Sequence, residues 1–98
     1  MGKRKITILE PAVEAVAEIA FYIEGQGLPE TAKRFVDEVF AFFEGLSNDI
    51  VIHHLCKYLS WKQLGFRCAN FKKKYVVAYL DLSEELIISE FVLQKLLT

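Results

Sequence analysis

The sequence predicts a single α+β domain, in which an antiparallel helix pair packs on a small antiparallel sheet. Two apolar patterns with helical spacing lie in the first half of the chain, and three runs rich in β-branched and aromatic residues lie in the second half. The 98 residues are enough for one domain with one core. Hydrophobic residues make up 53% of the chain, which is typical of a folded domain and excludes a disordered segment.

The first part of the chain predicts one strand and one helix. Residues 6–9 are apolar and partly β-branched, which favours a short strand. Pro11 suits the first turn of a helix, and the glycines of residues 25–27 suit its end. Apolar residues three and four positions apart predict the buried face of this helix, which comprises Val13, Val16, Ala17, Ala20 and Ile23.

A second helix is predicted from Pro29 to Gly45. Its apolar stripe has the clearest helical spacing in the chain and comprises Ala32, Phe35, Val36, Val39, Phe40 and Phe43. Aromatic residues in such a stripe are usually core, so we interpret them as packing residues rather than as a ligand site. Residues 46–64 give no clear assignment beyond a turn at Asn48-Asp49 and a strand or loop at 50–52.

Three strands are predicted near residues 65–71, 74–81 and 86–93. Because short turns connect them, they must run antiparallel and form a β-meander. Strict alternation along the last strand puts Ile87, Ser89, Phe91 and Leu93 on one face and Ile88, Glu90 and Val92 on the other. Apolar residues on both faces predict that the outer face of the sheet is also partly covered, for example by a partner segment.

Charge is distributed unevenly along a chain whose net charge is −1. Residues 1–49 carry five basic and nine acidic groups, and residues 81–98 carry one basic and four acidic groups. Residues 50–80 hold no acidic group and six basic ones, which are Lys57, Lys62, Arg67, Lys72, Lys73 and Lys74. This stretch predicts either a positive face for an anionic partner or a surface that acidic residues of the helices neutralise.

Two groups in the basic stretch are candidate binding residues. Lys72, Lys73 and Lys74 are expected at a turn of the meander, where they would bind a partner or nucleic acid or would only add solubility. Trp61 could stack on a base beside Lys62, although an aromatic residue that anchors a loop to the core is the commoner arrangement.

The cysteine and histidine residues do not predict a metal site. His53, His54, Cys56 and Cys68 lack the two close pairs of ligands that zinc sites usually show, so neither a metal nor another cofactor is expected. The two cysteines are expected to be free thiols, because a disulfide framework needs more pairs and an oxidising compartment. No apolar run is long enough to cross a bilayer, which favours a cytoplasmic protein without membrane association.

Several short phrases resemble the RelE/ParE superfamily of toxins from type II toxin–antitoxin systems, which includes plasmid stabilisation proteins. They follow the family's order over nearly the whole chain and comprise residues 17–23, Thr31 to Phe35, Leu46, Gly65-Phe66-Arg67, Tyr75 to Tyr79 and Leu86-Ile87-Ile88. The resemblance implies a strand, a two-helix hairpin and a meander of three or more strands. It also implies a partner antitoxin that lies across the helices or adds to the sheet, and it leaves a homodimer open.

The resemblance implies two alternative activities. ParE-like members inhibit DNA gyrase, whereas RelE-like members cut messenger RNA at the ribosome. For a RelE-like enzyme the candidate catalytic residues are Arg67, which matches an arginine of the central strands, and Lys57 and Lys62, which precede them. Val76 stands where that group often has a basic residue, and the end at Gln94-Lys95 lacks its histidine or tyrosine. The sequence therefore favours a ParE-like inhibitor, with a nuclease or a member without toxicity as alternatives.

Overall fold

The structure, a computed structural model, describes residues 4–47 and 53–97. Its elements in chain order are β1 (Lys5–Ile8), α1 (Glu10–Gly25), α2 (Pro29–Ser47), α3 (Leu59–Gln63), β2 (Arg67–Phe71), β3 (Tyr75–Asp81), β4 (Glu85–Leu93) and a 3-10 turn (Gln94–Leu97). The predicted α+β class, helix pair and meander are confirmed. The helix α3 was not predicted, and the turn and strand considered for residues 48–52 lie outside the described residues.

The four strands form one sheet in the order β1-β4-β3-β2. The pairs β2–β3 and β3–β4 are antiparallel, whereas β1 runs parallel to β4. The sheet is therefore mixed, which corrects the prediction of a wholly antiparallel sheet. Parallel neighbours cannot be joined by a tight turn, so the chain must leave the sheet after β1 and return later. The helices α1 and α2 form in this connection, and both pack against β4.

The alternation predicted for β4 is wrong because the strand contains a bulge. The pairing register shifts between Ala78 and Tyr79, which leaves Ser89 as an extra residue on β4. As a result Ile88 and Phe91 both face the helices, although they are an odd number of positions apart. Ile88, which strict alternation puts on the same face as Glu90 and Val92, therefore belongs to the core with Phe91.

The helix α1 buries a face that differs from the predicted one. Ala12 and Val16 are buried, and Ile19 packs partly against the same core, whereas Val13 and Ala17 are exposed. Ala12 is small, so the hydrophobic pattern did not single it out, yet it is fully buried in the core that α1 and β4 share. A small side chain such as that of Ala12 lets α1 approach the sheet closely. Side-chain size therefore predicts the buried face of α1 better than hydrophobicity does.

The helix α2 follows its predicted stripe but does not end at Gly45. Its buried side chains include Ala32, Phe35, Val39 and Phe43, whereas Phe40 is 37% exposed. The helix continues to Ser47, and the Arg4 guanidinium donates to the carbonyls of Leu46 (3.2 Å) and Ser47 (3.4 Å). These bonds satisfy carbonyls that the last turn of a helix leaves open, which offsets the cost of a helical glycine.

Phe91 lies at the centre of an aromatic core between the helices and the sheet. Its ring stacks on Tyr75 at 5.0 Å between centroids and also contacts the three phenylalanine rings of Phe35, Phe43 and Phe71 at 6.1–6.4 Å. Aromatic rings at such distances stabilise a core by more than the burial of their apolar area alone. The phenylalanine stripe of α2 is therefore part of the core, as predicted.

Phe91→Ala is expected to lower the free energy of unfolding by about 3–5 kcal/mol, because truncation of a buried phenylalanine leaves a cavity. The matched control is Phe21→Ala, since Phe21 is 77% exposed on α1. That change should alter stability by no more than about 0.5 kcal/mol. Urea denaturation of both variants measures the difference, and equal losses would contradict the position of Phe91 in the core.

Candidate functional site

The face of the sheet opposite the helices is covered in part by residues 53–66, which we call the outer segment. Leu55 forms an isolated antiparallel bridge with Arg67 at the start of β2. The Cys56 N–H donates to the Phe66 carbonyl at 2.9 Å, and the Cys68 N–H donates to the His54 carbonyl at 3.3 Å. The predicted cover over the outer face is therefore supplied by this chain itself.

A second, smaller apolar cluster forms under the outer segment. Cys56, Phe66 and Ala78 are buried in it, and Tyr58, Trp61, Cys68 and Leu80 pack against it. The half-buried Trp61 meets Tyr58 edge to face at 5.7 Å between ring centroids. This position makes Trp61 an anchor of the outer segment, and its contact with a partner or a nucleic acid stays a prediction.

Cys56 and Cys68 are joined in a disulfide, which corrects the expectation of two free thiols. The chain turns back through α3 between them, so that residues 12 positions apart meet across the bridge between the outer segment and β2. The spacing alone gave no indication of this proximity, because α3 was not predicted. The disulfide thus links the outer segment covalently to the sheet.

An open cavity of about 540 Å³ lies between the outer segment and the sheet, and we call it the outer cleft. Its polar lining consists of His53, His54, Lys57, Tyr58, Asn70 and Gln94. No carboxylate lines it among the described residues. Imidazole, amide, hydroxyl and ammonium groups without an acidic group suit an anionic or polar ligand.

The three candidate catalytic residues do not gather in the outer cleft. Lys57 lines it, whereas Lys62 is exposed on α3 and is not part of the lining. The Arg67 side chain donates from Nη1 to the His53 carbonyl at 2.6 Å, which ties the outer segment to β2. Val76, at the position where a basic residue is frequent in RelE-like proteins, lines the cleft as an apolar side chain. Catalytic roles for Arg67, Lys57 and Lys62 stay predictions.

Sequence reasoning gave His53 only a minor place, and it missed Asn70 and Gln94. The Nδ1 atom of His53 lies 2.8 Å from the hydroxyl of Tyr79, and this hydrogen bond orients the ring beside the cleft. Asn70 comes from β2 and Gln94 from the turn after β4. They are ordinary polar residues far apart in the chain, so only the sheet pairing could have placed them together.

The lysine turn connects β2 and β3. Lys72 and Lys73 have positive φ angles of 55° and 57°, and Lys72 forms a salt bridge with Glu38 of α2. Lys73, Lys74 and Lys95 surround a shallow pocket of about 380 Å³. Of the six cations in residues 50–80, Lys72 is the one with a salt bridge to a carboxylate in the described part of the chain. Among the described residues, one of these six cations is therefore neutralised by a salt bridge.

Exposed aromatic residues lie on the helices and form a second candidate surface. Phe21 is 77% exposed and Tyr22 is 67% exposed, and both lie near the end of α1. Phe21, Ala17 and Val36 line a shallow groove between α1 and α2. Phe40, on α2, adds a partly exposed ring to the same helix pair.

Within residues 4–47 and 53–97, no group of three or more histidine, cysteine, aspartate or glutamate side chains could hold a metal ion. None of the helices in these ranges is both long and apolar enough to cross a bilayer.

Comparison with known proteins supports the fold. The structure superposes with a TM-score of 0.75 on a chain of a solved structure described as the chromosomal ParDE TA system from P. aeruginosa. The two chains share 12% sequence identity, and the match covers 93% of this chain and 96% of the other. No protein-family model matches the sequence, and no curated protein matches it significantly. The chain therefore has a ParE-like fold, as the sequence predicts.

Arg67→Ala is expected to speed amide exchange at Cys56 and Cys68 about tenfold or more, because a hydrogen bond from a charged group contributes about 1.5–3 kcal/mol. Lys62→Ala is the matched control, since Lys62 is an exposed cation of the same region. It should leave both amides protected, and exchange followed by NMR measures the two variants. Unchanged protection in Arg67→Ala would mean that this bond does not hold the outer segment.

Proposed function

We propose that this protein is the toxin of a type II toxin–antitoxin module, that it acts in the cytoplasm by binding and inhibiting DNA gyrase, and that a partner antitoxin neutralises it. The ParE-like fold supports this proposal, together with the ordered sequence phrases that resemble the family. The observation that carries the choice of an inhibitor is the composition of the outer cleft. An inhibitor needs a complementary surface, and it does not need a set of catalytic groups around one phosphate.

A nuclease of this kind needs a base, an acid for the leaving oxygen and cations for the charge of the transition state. In the outer cleft Lys57 is the one aliphatic cation of the lining. Arg67 donates to a backbone carbonyl, and Lys62 lies outside the lining. The apolar Val76 occupies the cleft wall. The described residues thus offer one of the three predicted cations where a phosphate would react.

A RelE-like ribonuclease is the second candidate, and a specific feature favours it. His53 and His54 line the cleft beside Lys57 and Tyr58. An imidazole ring can donate or accept a proton, so these two residues could supply groups that the family pattern places elsewhere. Under this alternative the protein would cleave RNA without a metal ion.

The partly unneutralised lysines and the exposed aromatic residues support a binding protein with an acidic, amphipathic partner. Such a partner can place apolar side chains in the groove near Phe21 and carboxylates near Lys73 and Lys74. Amphipathic helices and edge strands are the usual segments that bind in this way. The antitoxin is proposed to have this chemistry.

The first test is induction of this chain alone in a bacterial host, with pulse labelling of new DNA and new protein in one culture. A gyrase inhibitor should stop DNA synthesis within minutes while translation persists, and purified protein should block supercoiling by gyrase. A fall in translation with DNA synthesis intact would favour the ribonuclease instead. Growth with both syntheses unchanged would contradict both proposals.

Variants separate the two mechanisms within this test. Lys57→Ala and His54→Ala should abolish RNA cleavage if the cleft is catalytic, because both residues line it. Under the inhibitor proposal, the rate at which DNA synthesis falls should stay within about threefold of the rate that the unchanged protein causes. Arg34→Ala, an exposed cation on α2, is the matched control for a general effect of charge.

A further inference from the structure

We propose that Cys56 and Cys68 form a redox site whose disulfide holds the outer segment on the sheet and whose reduction opens the outer cleft. The inference goes beyond the proposed function, because it applies to the cleft whichever target that cleft serves. The disulfide lies within the second apolar cluster, where Cys56 is 1% exposed and Ala78 is fully buried. Breaking it therefore affects the centre of the packing under the outer segment.

Besides the disulfide and the second apolar cluster, few hydrogen bonds hold the outer segment to the sheet among the described residues. They comprise the two backbone hydrogen bonds of Cys56 and Cys68, the bond from Arg67 to the His53 carbonyl and the bond between His53 and Tyr79. The helix α3 has five residues, none of which is buried. A helix of that length is not stable by itself, so the segment depends on its attachment to the sheet.

The disulfide is accessible from the outer cleft. Cys68 is half-buried and lines the cleft, whereas Cys56 is buried and does not. A thiolate of a dithiol reductant can therefore attack Sγ of Cys68, and Cys56 leaves as a thiolate. The second thiol of the reductant then resolves the mixed disulfide. Two electrons and two protons pass to the cysteine pair, and the reductant becomes a disulfide.

The redox state of the pair should control the shape of the cleft. The outer segment contributes His53, His54, Leu55, Lys57 and Tyr58 to the lining. When the cross-link is absent, the loop that contains α3 regains conformational freedom, and the open state should be favoured roughly a hundredfold more than in the oxidised protein. Cysteine pairs in reducing compartments are usually transient and redox-sensing, which agrees with a site of this kind.

Limited trypsin digestion of the full chain tests the proposal, because Lys57 and Lys62 lie in the outer segment and Lys33 and Arg34 lie in α2. The oxidised protein and the protein reduced with dithiothreitol are compared by mass spectrometry. Reduction should accelerate cleavage after Lys57 and Lys62 at least tenfold, while cleavage in α2 stays slow. Restoring the disulfide with oxidised glutathione should reverse the change.

The double variant Cys56→Ser/Cys68→Ser separates redox control from other effects of dithiothreitol. It should be cleaved at the rate of the reduced protein and should not respond to dithiothreitol. Equal cleavage of the oxidised and reduced proteins would overturn the proposal. A failure of oxidised glutathione to form the disulfide from the two thiols would also overturn it. Acceleration in α2 as well would also overturn it, since the bond would then stabilise the whole fold rather than the outer segment.

Discussion

The parallel pairing of β1 with β4 is the constraint on which the rest of the structure depends. It forces the chain to leave the sheet after Ile8, and the helix pair forms in the connection that follows. Arg4 strengthens this arrangement, because its guanidinium meets carbonyls of Leu46 and Ser47 and forms a salt bridge with Asp81. One side chain therefore joins the entry to β1, the end of α2 and the end of β3.

This constraint divides the molecule into two faces with different stability. The helix face holds the aromatic core around Phe91. The centroids of four other rings, those of Phe35, Phe43, Phe71 and Tyr75, each lie within 6.4 Å of the Phe91 centroid. The outer face holds a smaller cluster around Cys56 and Phe66, which a segment with one short helix covers. Regions with few buried contacts open most readily, and binding sites are drawn from such regions. The outer cleft therefore lies where the chain can change its conformation while the aromatic core around Phe91 stays intact.

The sequence predicted elements that have a strong local signal. The phenylalanine spacing of α2 predicts a helix, and the β-branched runs of the meander predict strands. The type and the approximate ends of these elements could therefore be derived from the sequence. The bulge at Ser89 has no such signal, because it depends on how β4 pairs with β3. The same holds for the disulfide and for Asn70 and Gln94, which reach the outer cleft only after the sheet has formed.

The candidate site shows why residue type alone is a weak guide to catalysis on this fold. Arg67 was predicted as a catalytic residue from a sequence resemblance, and its Nη1 atom donates to the His53 carbonyl. This bond holds the guanidinium at the His53 carbonyl, and Arg67 is not part of the lining of the outer cleft. Lys57 has no comparable bond among the described residues and lines the cleft. The three residues predicted for catalysis therefore do not gather around the outer cleft in the described part of the chain.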